Sequence, residues 1–449
     1  MLVKLTSPSV VKRIPVAWII AAPLAGFIPL WLYWDDFSKF FYQGVEWDQL
    51  NRIEADGLFI WVFSFFGENF APVFKLFWAG LLFAGSGNYH IFVFGSFALH
   101  VVVVFLFGYL LRQWGFGGFV IVFSQMVLAV NYTHIEILAQ SIQVSNFLSY
   151  GFLLALVIFF FRPWLEGGSY STKLCVCLCV LSSLGALSFV RGVLNGIVVG
   201  VIAVALYFLG DPANRKLLRP AKYVVVPSIV VGLIVAMGIF YNQTAFRSDG
   251  AGFSRFLDHF LFQITLNPWY QQLRNLSLTG GQSLLLLELS AVVICFAVYF
   301  ATDFQKNLFL LLLLFFLGNG FFTALGRSHL SLDHTVAWRY QYGCLIVFVP
   351  LVATVIERIL RSVPFRFMPV TAGVLVIWWT SLWVFDHWKY HIPTWAEERG
   401  TKIRASTTAS MTDLEAHTIS TLEAVNDERA LELIKAFNLR LAAKENDNE

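Results

Sequence analysis

The sequence is poor in charge. Only 13% of its 449 residues are charged, whereas 58% are hydrophobic and 17% are aromatic. Soluble domains carry roughly 25% charged residues. The scarcity of charge therefore excludes an ordinary soluble domain and predicts an integral membrane protein.

The chain also lacks a large excess of either charge, and it has few cysteines. Its formal net charge is +3, and the basic residues form short clusters between apolar runs, which argues against a nucleic-acid partner. Three of the five cysteines, Cys175, Cys177 and Cys179, alternate along one apolar run. Residues two apart on a helix point to different faces, so this spacing does not suit a metal site. We interpret the cysteines as small packing residues and predict no disulfide framework.

Apolar runs long enough for a helix to cross about 30 Å of hydrocarbon recur along the chain. They predict an all-α, polytopic membrane protein with about eleven transmembrane helices. The predicted spans are 14–33, 89–111, 116–131, 141–161, 172–190, 192–209, 222–241, 283–301, 308–325, 342–360 and 367–387. The first run follows Lys4, Lys12 and Arg13 and has no small-residue cleavage site, so we interpret it as an uncleaved helix and not as a signal peptide.

A further apolar stretch, 57–84, is interrupted by GENFAP at 67–72. Each half is too short for a span, and the stretch is rich in Phe and Trp, which predicts interfacial helices lying on the membrane within the first outer loop. The basic clusters that contain Arg162, Arg215 and Arg358 all fall on one side of the predicted topology. Because basic loops face the cytoplasm, we expect the N-terminus inside and the C-terminus outside.

The predicted outer side receives the longest connections. Long connections in a compact protein are usually functional, so we expect the active site to face outward. The predicted spans define a transmembrane domain over 1–387. We expect the protein to lie in a bacterial inner membrane with its active site facing the periplasm. The tail 388–449 has Leu431, Ile434 and Leu441 at helical spacing, which predicts amphipathic helices that dock on the outer loops or on a partner protein, or else a solvated tail. The outer loops that we expect to form the site are 34–88, 131–140, 242–282 and 326–343.

Acidic residues stand at several points of this outer side. Asp35 and Asp36 directly follow the first span in LWLYWDDFSKFF. A carboxylate held there by the end of a helix can act as a general base toward a hydroxyl, although two acids can also simply mark the water boundary of the helix. Glu136 in NYTHIEILAQ and Glu68 in GENFAP are further candidates. The competing interpretation of Glu136 is a solvated residue at a helix boundary.

Basic and aromatic residues accompany these acids. The loop GRSHLSLDHTVAWRYQYG contains Arg327, Arg339 and Tyr340, and Arg339 stands just before a predicted span, at the depth of a lipid phosphate. The planar fork of a guanidinium suits phosphate oxygens. Arg191 in LSFVRGVLNG has the corresponding position before another span. Both Arg339 and Arg191 are predicted to bind the phosphate of a membrane-embedded lipid, or else to snorkel to ordinary headgroups.

The order of these motifs resembles the GT-C superfamily of membrane glycosyltransferases that use lipid-linked donors. YWDD follows the first span, GENFAPVFKLFWAGLLFAGSGNYHIFVFGSFALH leads through the second, LAVNYTHIEILAQSIQVSNFLS follows the third, and GR…RYQY precedes a late span. The series is most similar to the protein O-mannosyltransferases and the related transmembrane and tetratricopeptide-repeat mannosyltransferases. The resemblance covers residues 14–165, and beyond them it rests on the RYQY loop and the topology.

The resemblance implies roles for individual residues. It makes Asp35 the catalytic carboxylate, with Asp36 beside it and Glu136 as the acid of the second outer loop. It places His90 near the outer surface, at the substrate, and His100 inside the second span as a packing residue. The substrate-binding residues that we expect besides His90 are Arg339, which corresponds to the arginine that holds the carrier phosphate, and Tyr340, Arg327, Glu68, Asn69, His134 and Arg191.

The implied function is the transfer of a sugar from a polyprenyl-phosphate carrier to an acceptor hydroxyl on a protein, lipid or glycan, with inversion at the anomeric carbon. Two departures from the family pattern, Asn69 in place of a histidine and Asn131–Tyr132 in place of His-Pro, leave open a catalytically inactive assembly subunit. A transporter is a third interpretation, which the lack of an obvious inverted repeat disfavours. We expect no obligatory cofactor, and one divalent cation held by Asp35, Glu136 and a phosphate stays open.

Overall fold

Helices make up nearly all of the chain that the structure describes. The structure is a computed structural model, and it describes residues 16–40, 42, 45–65, 69–131, 134–208, 212–242, 253–265, 280–327, 340–362, 388 and 392–394. In chain order the helices are α1 (Val16–Leu24), α2 (Ile28–Leu32), α3 (Trp34–Phe37), α4 (Val45–Asp56), α5 (Leu58–Phe63), α6 (Pro72–Ala84), α7 (His90–Gln113), α8 (Gly118–Val130), α9 (Ile135–Ala139), α10 (Val144–Leu165), α11 (Thr172–Ala186), α12 (Val193–Phe208), α13 (Leu218–Asn242), α14 (Phe253–Thr265), α15 (Gly280–Phe300), α16 (Asp303–Arg327) and α17 (Gln341–Ser362). Short 3-10 turns lie at Ala25–Phe27, Ser141–Gln143, Val190–Gly192 and Pro212–Leu217.

The apolar helices coincide with the predicted spans. Within the described part of the chain, six helical segments are long and apolar enough to cross a membrane: His90–Gln113, Ser141–Leu165, Val190–Phe208, Asn214–Gly238, Asp303–Gly326 and Gln341–Leu360. The predicted spans at 14–33, 116–131, 172–190 and 283–301 fall on shorter apolar helices. The span predicted at 367–387 lies outside the described residues. The all-helical, polytopic class is therefore confirmed, while the count of eleven spans stays a prediction.

Burial separates central helices from peripheral ones. In the segment that contains α10, 78% of the most apolar stretch is buried, whereas the corresponding share in the segment that contains α13 is 28%. Large apolar side chains stay exposed along α13, among them Val226, Leu233 and Met237. A long helix that is apolar on all sides is stable only when its outward face meets lipid or other protein. Helix α10 thus belongs to the centre of the bundle, and α13 presents an apolar face outward.

Aromatic contacts around Trp164 gather the connections at one end of the bundle. The indole of Trp164 donates from Nε1 to Oδ1 of Asn214 at 2.9 Å. Its ring lies 6.1 Å from that of Trp114 and 5.5 Å from that of Phe304, measured between ring centres. The connections after α7, α10, α12 and α15 therefore share this end, as the predicted topology requires. We call it the basic end, because it carries the clusters around Arg162 and Arg215; its assignment to the cytoplasm stays a prediction.

The predicted first and second outer segments meet at the opposite end. His90, at the start of α7, donates from Nε2 to the carbonyl oxygen of Ser38 at 2.9 Å. The hydroxyl oxygen of Tyr89 lies 2.9 Å from the carbonyl oxygen of Ala139, the last residue of α9. We call this end, formed by α3, the start of α7 and α9, the outer end.

Both halves of the predicted interfacial segment are helical. Helices α5 and α6 have 6 and 13 residues, too few to cross about 30 Å of hydrocarbon. On α5, Phe59 is 77% and Ile60 61% exposed, whereas Trp61 is fully buried. The ammonium of Lys75 on α6 donates to the carbonyl oxygens of Trp61 at 2.6 Å and Ser64 at 2.8 Å, so α6 holds the end of α5 in place.

Candidate active site

The adjacent acids lie on α3, a four-residue helix at the outer end. Its first and last residues pack inward. Trp34 meets His90 edge to face, with 5.4 Å between the ring centres, and Phe37 is fully buried. Because these two aromatic residues occupy the inner face, Asp35 and Asp36 lie on the outward face of the helix.

The two carboxylates have different environments. Asp36 accepts a hydrogen bond from the ammonium of Lys39 at 2.9 Å, and its side chain is 18% exposed. Asp35 is exposed, and no described residue donates a hydrogen bond to its carboxylate. Only its backbone carbonyl is bonded, by the Ser38 hydroxyl at 2.9 Å. Asp35 is therefore the member of the pair whose carboxylate is available to a substrate.

The second outer segment begins where α8 ends, and ring nitrogens cap that end. The last backbone carbonyls of a helix have no partner inside the helix. His134 donates from Nε2 to the carbonyl oxygen of Leu128 at 2.8 Å. His100 donates from Nε2 to the carbonyl oxygen of Ala129 at 2.9 Å. The helix end is thus fixed by one side chain from the second span and one from the segment that it introduces.

The carbonyl partners determine the protonation of both imidazoles. Each ring carries its proton on Nε2, because a carbonyl oxygen can only accept. Nδ1 of His100 accepts from the hydroxyl of Tyr342 at 3.0 Å. Both rings are fully buried, and burial lowers the pKa of His134 well below its usual value. His100 is therefore a buried hydrogen-bonding residue, as its position within the second span predicts, and His134 lies in the packed interior beside it.

Arg191 lies in the 3-10 turn before α12 and is buried, with 4% of its surface exposed. Its Nη1 donates to the hydroxyl of Tyr150, and its guanidinium carbon lies 5.4 Å from the centre of that ring and 5.0 Å from that of Phe189. Nε has no hydrogen-bond partner in the described part of the chain. None of the ion pairs found there includes Arg191. A buried guanidinium without a carboxylate and with an open N–H is suited to an anionic ligand.

Two tyrosines connect Arg191 to the capped end of α8. The ring of Tyr150 lies 5.3 Å from that of Tyr342. The ring of Tyr342 in turn lies 4.6 Å from that of His134. A continuous series of contacts therefore runs from the buried cation to the start of the second outer segment.

Helix α17 begins beside this series. Tyr340, just before the helix, is buried. Gly343 permits the close approach of α17 to α10, because a Cβ there would collide with the Tyr150 hydroxyl. Several predicted site groups in this region and elsewhere lie outside the described residues: Arg339, Glu68, and the side chains of Arg327 and Glu136.

Asn69 contacts the turn that carries Arg191. It is 7% exposed, and its Oδ1 accepts from the backbone N–H of Val190 at 3.3 Å. Its side chain therefore holds the residue directly before Arg191, and its predicted role in substrate binding stays a prediction.

Glu46, which sequence reasoning missed, is the most buried acid among the described residues. Its Oε1 accepts from the backbone N–H of Ser141 at 2.8 Å, from the Ser141 hydroxyl at 2.5 Å and from the Tyr89 hydroxyl at 2.9 Å. The hydroxyl of Ser141 also receives the indole N–H of Trp78 at 2.9 Å. Glu46 thus joins α4 of the first outer segment to the 3-10 turn after α9, which begins at Ser141. In the sequence, only the apolar neighbours of Glu46 in GVEWDQL indicate that it is buried. Its place in the first turn of a helix does not, because acids are common there on protein surfaces.

Metal ligands are sparse in the described part of the chain. It contains no group of three or more His, Cys, Asp or Glu side chains arranged to hold a metal ion. The divalent cation that the sequence leaves open between Asp35, Glu136 and a phosphate depends on a side chain outside the described residues, so this possibility stays open.

No protein-family model and no curated protein matches the chain. Solved structures similar to it include the Saccharomyces cerevisiae protein O-mannosyltransferase Pmt1-Pmt2 complex bound to the sugar donor, at 15% identity over 61% of this chain and 40% of that one, with a TM-score of 0.39. The apo oligosaccharyltransferase of Archaeoglobus fulgidus is similar at 11% identity over 95% and 60% of the two chains, with a TM-score of 0.49. The oligosaccharyltransferase AglB of the same organism, in complex with an inhibitory peptide and a dolichol-phosphate, is similar at 13% identity. The match covers 95% of this chain and 59% of that one, with a TM-score of 0.46.

With identities of 11–15% and TM-scores below 0.5, these likenesses carry no argument about the activity of this chain. The chain spans between 40% and 60% of the length of the chains it matches.

Proposed function

We propose that the protein is an inverting glycosyltransferase that moves a sugar from a polyprenyl-phosphate carrier to an acceptor hydroxyl on the extracytoplasmic side of the membrane. The observations that support this most are an exposed carboxylate and a buried cation. Asp35 is exposed on α3, and Arg191 has neither a carboxylate partner nor a hydrogen-bond partner for its Nε among the described residues. The contacts through Tyr150, Tyr342 and His134 link that cation to the segment that bears Glu136.

The chemistry needs one base and one anion-binding group. Asp35 takes the proton of the acceptor hydroxyl as general base. The acceptor oxygen attacks the anomeric carbon from the face opposite the phosphate, and the bond from that carbon to the phosphate oxygen breaks with inversion. The electron pair of the broken bond leaves on the phosphate, and Arg191 and Arg339 stabilise the charge that develops there.

The donor fits the membrane setting. A polyprenyl tail is soluble in hydrocarbon, and its phosphate lies at the depth where a span begins. The 3-10 turn that contains Arg191 directly precedes α12, and Tyr340 with Arg339 directly precedes α17. We infer that the carrier phosphate lies between the starts of these two helices. The sugar would then extend toward α3 at the outer end.

The test is transfer from radiolabelled polyprenyl-phosphate sugars by the purified full-length chain. We expect Asp35→Asn to lower transfer at least about 100-fold, the usual contribution of a general base. A second pair of variants tests whether the loss of any lysine-paired carboxylate is enough to lower transfer. Asp36 pairs with Lys39 at 2.9 Å, and Asp303 pairs with Lys306 at 3.0 Å. Asp36→Asn should lower transfer, whereas Asp303→Asn should leave it unchanged.

Three outcomes contradict the proposal in different ways. Undiminished transfer by Asp35→Asn rules out this carboxylate as the base. A folded wild-type chain that transfers no sugar from any carrier tested favours the inactive assembly subunit. Substrate flux into liposomes without transfer favours a transporter.

A further inference from the structure

Trp388 lies at the outer end, far along the chain from the residues that it contacts. Its side chain is fully buried. The indole donates from Nε1 to the carbonyl oxygen of Val130 at 2.8 Å. Its ring stacks on that of Tyr33, with 6.3 Å between centres and 15° between planes, and lies 6.3 Å from the ring of Phe37. Trp388 therefore contacts two parts of the chain that precede it by more than 250 residues.

The residues around Trp388 adjoin both of the segments that bear candidate acids. Tyr33 immediately precedes α3, and Phe37 ends it, so they flank Asp35 and Asp36. Val130 is the last residue of α8, and the segment after it leads to α9. A single side chain thus connects the helix of the exposed carboxylate to the start of the second outer segment.

The bond to Val130 completes the cap on α8. Val130 carries the carbonyl that follows those of Leu128 and Ala129, which the two histidines cap. A carbonyl at a helix end that is buried without a donor costs free energy. Trp388 supplies that donor. Ile392, four residues further on, is also fully buried.

We propose that Trp388 is a positioning residue of the active site, which fixes α3 against the C-terminal end of α8. The proposal rests on the proposed function for its catalytic readout, and its structural readout stands independently. The start of the segment 388–449 is accordingly part of the site, although it follows all of the predicted spans.

Hydrogen exchange of the full-length protein in lipid nanodiscs tests the structural half. Trp388→Phe keeps an aromatic ring and removes the N–H donor. Trp164→Phe is the matched control, because Trp164 also donates from Nε1, to Asn214 at the basic end. We expect Trp388→Phe to speed amide exchange about fivefold over α3 and 128–139, as the loss of one hydrogen bond implies. Trp164→Phe should speed exchange at the basic end alone.

Transfer kinetics test the catalytic half. We expect Trp388→Phe to lower kcat about tenfold to 100-fold, since a displacement of about 1 Å at the reacting groups costs this much. KM for the lipid-linked donor should stay within about twofold, because the carrier phosphate site is not displaced. Trp388→His, which retains a ring N–H, should recover part of the loss. Trp164→Phe should retain wild-type kcat.

Two results would overturn the proposal: unchanged exchange over α3 and 128–139 in Trp388→Phe, or a kcat equal to that of Trp164→Phe. If Trp388→Phe does not accumulate as folded protein, Tyr33→Leu tests the same contact from its other side, with the same two criteria. A wild-type chain without transfer contradicts the proposed function alone, and the exchange comparison still decides whether Trp388 fixes these segments.

Discussion

His100 and His134 lie 5.1 Å apart, ring centre to ring centre, and cap neighbouring carbonyls of one helix end. Helix α8 ends among buried residues, where its last carbonyls need donors from the protein itself. The two imidazoles supply two of these donors. The segment that leads to α9 consequently starts from a fixed point.

The capping histidine outside the spans makes stability dependent on pH. Burial holds the folded-state pKa of His134 well below its usual value, which is about 6.5 in an unfolded chain. Below that pH the unfolded chain binds a proton that folded His134 does not, so stability present above about pH 6.5 is lost as the pH falls, by at most about 1.4 kcal/mol per unit. We expect the thermal midpoint to drop less between about pH 7 and pH 5 in His134→Gln, which keeps a donor for Leu128. Parallel pH profiles of the two proteins would contradict this.

The buried carboxylate of Glu46 should be a major source of stability at the outer end. Removing its charge weakens three hydrogen bonds from Ser141 and Tyr89, and bonds to a charged acceptor contribute about 1.5–3 kcal/mol each. We expect Glu46→Gln to lower the free energy of unfolding by about 2 kcal/mol and to speed amide exchange over α9. Glu54→Gln, an exposed change on the same helix, is the control and should alter stability by less than about 0.5 kcal/mol. Equal effects of the two changes would show that the network does not hold α9.

Lys75 predicts a second pH effect of the same physical origin, at higher pH. Burial, with a smaller contribution from the nearby Arg52, lowers its pKa to about 8, whereas an unfolded lysine has a pKa of about 10.4. Between these values the unfolded chain binds a proton that the folded chain lacks, so the stability of the wild type should rise from about pH 8 to pH 10. Lys75→Met should remove that rise. The measurement is the difference between the two unfolding midpoints at each pH, which cancels the titration of other groups.

The sequence predicts the helices well, because crossing hydrocarbon demands a long apolar run, and such runs are visible without any partner. The exposed position of Asp35 was likewise predictable from its place at the end of the first span. The burial of other side chains could not be predicted in this way. Glu46 is satisfied by a residue 95 positions away, and Trp388 caps a carbonyl 258 positions away. Contacts between such distant residues depend on how helices pack, which a local pattern does not encode.

Arg191 illustrates the same limit, since its sequence position is equally consistent with a headgroup contact at the surface. The structure buries it instead and gives it no carboxylate within the described residues. A buried, uncompensated charge costs stability, and proteins keep such costs where function requires them. We therefore expect the free energy of unfolding of Arg191→Met to lie within about 1 kcal/mol of the wild-type value when no carrier is bound.

The same variant should lose the carrier. A charge-assisted bond to phosphate contributes about 1.5–3 kcal/mol, so Arg191→Met should weaken binding of polyprenyl phosphate about tenfold to 100-fold and lower kcat/KM for transfer by a similar factor. Arg162→Met is the matched control, because Arg162 is exposed and paired with Glu166 at the basic end. Its affinity for the carrier should equal that of the wild type. If both variants bind the carrier as tightly as the wild type, Arg191 does not contact the phosphate. If the free energy of unfolding of Arg191→Met instead lies far below that of the wild type, the charge of Arg191 has a structural role. The anion site would then lie around Arg339.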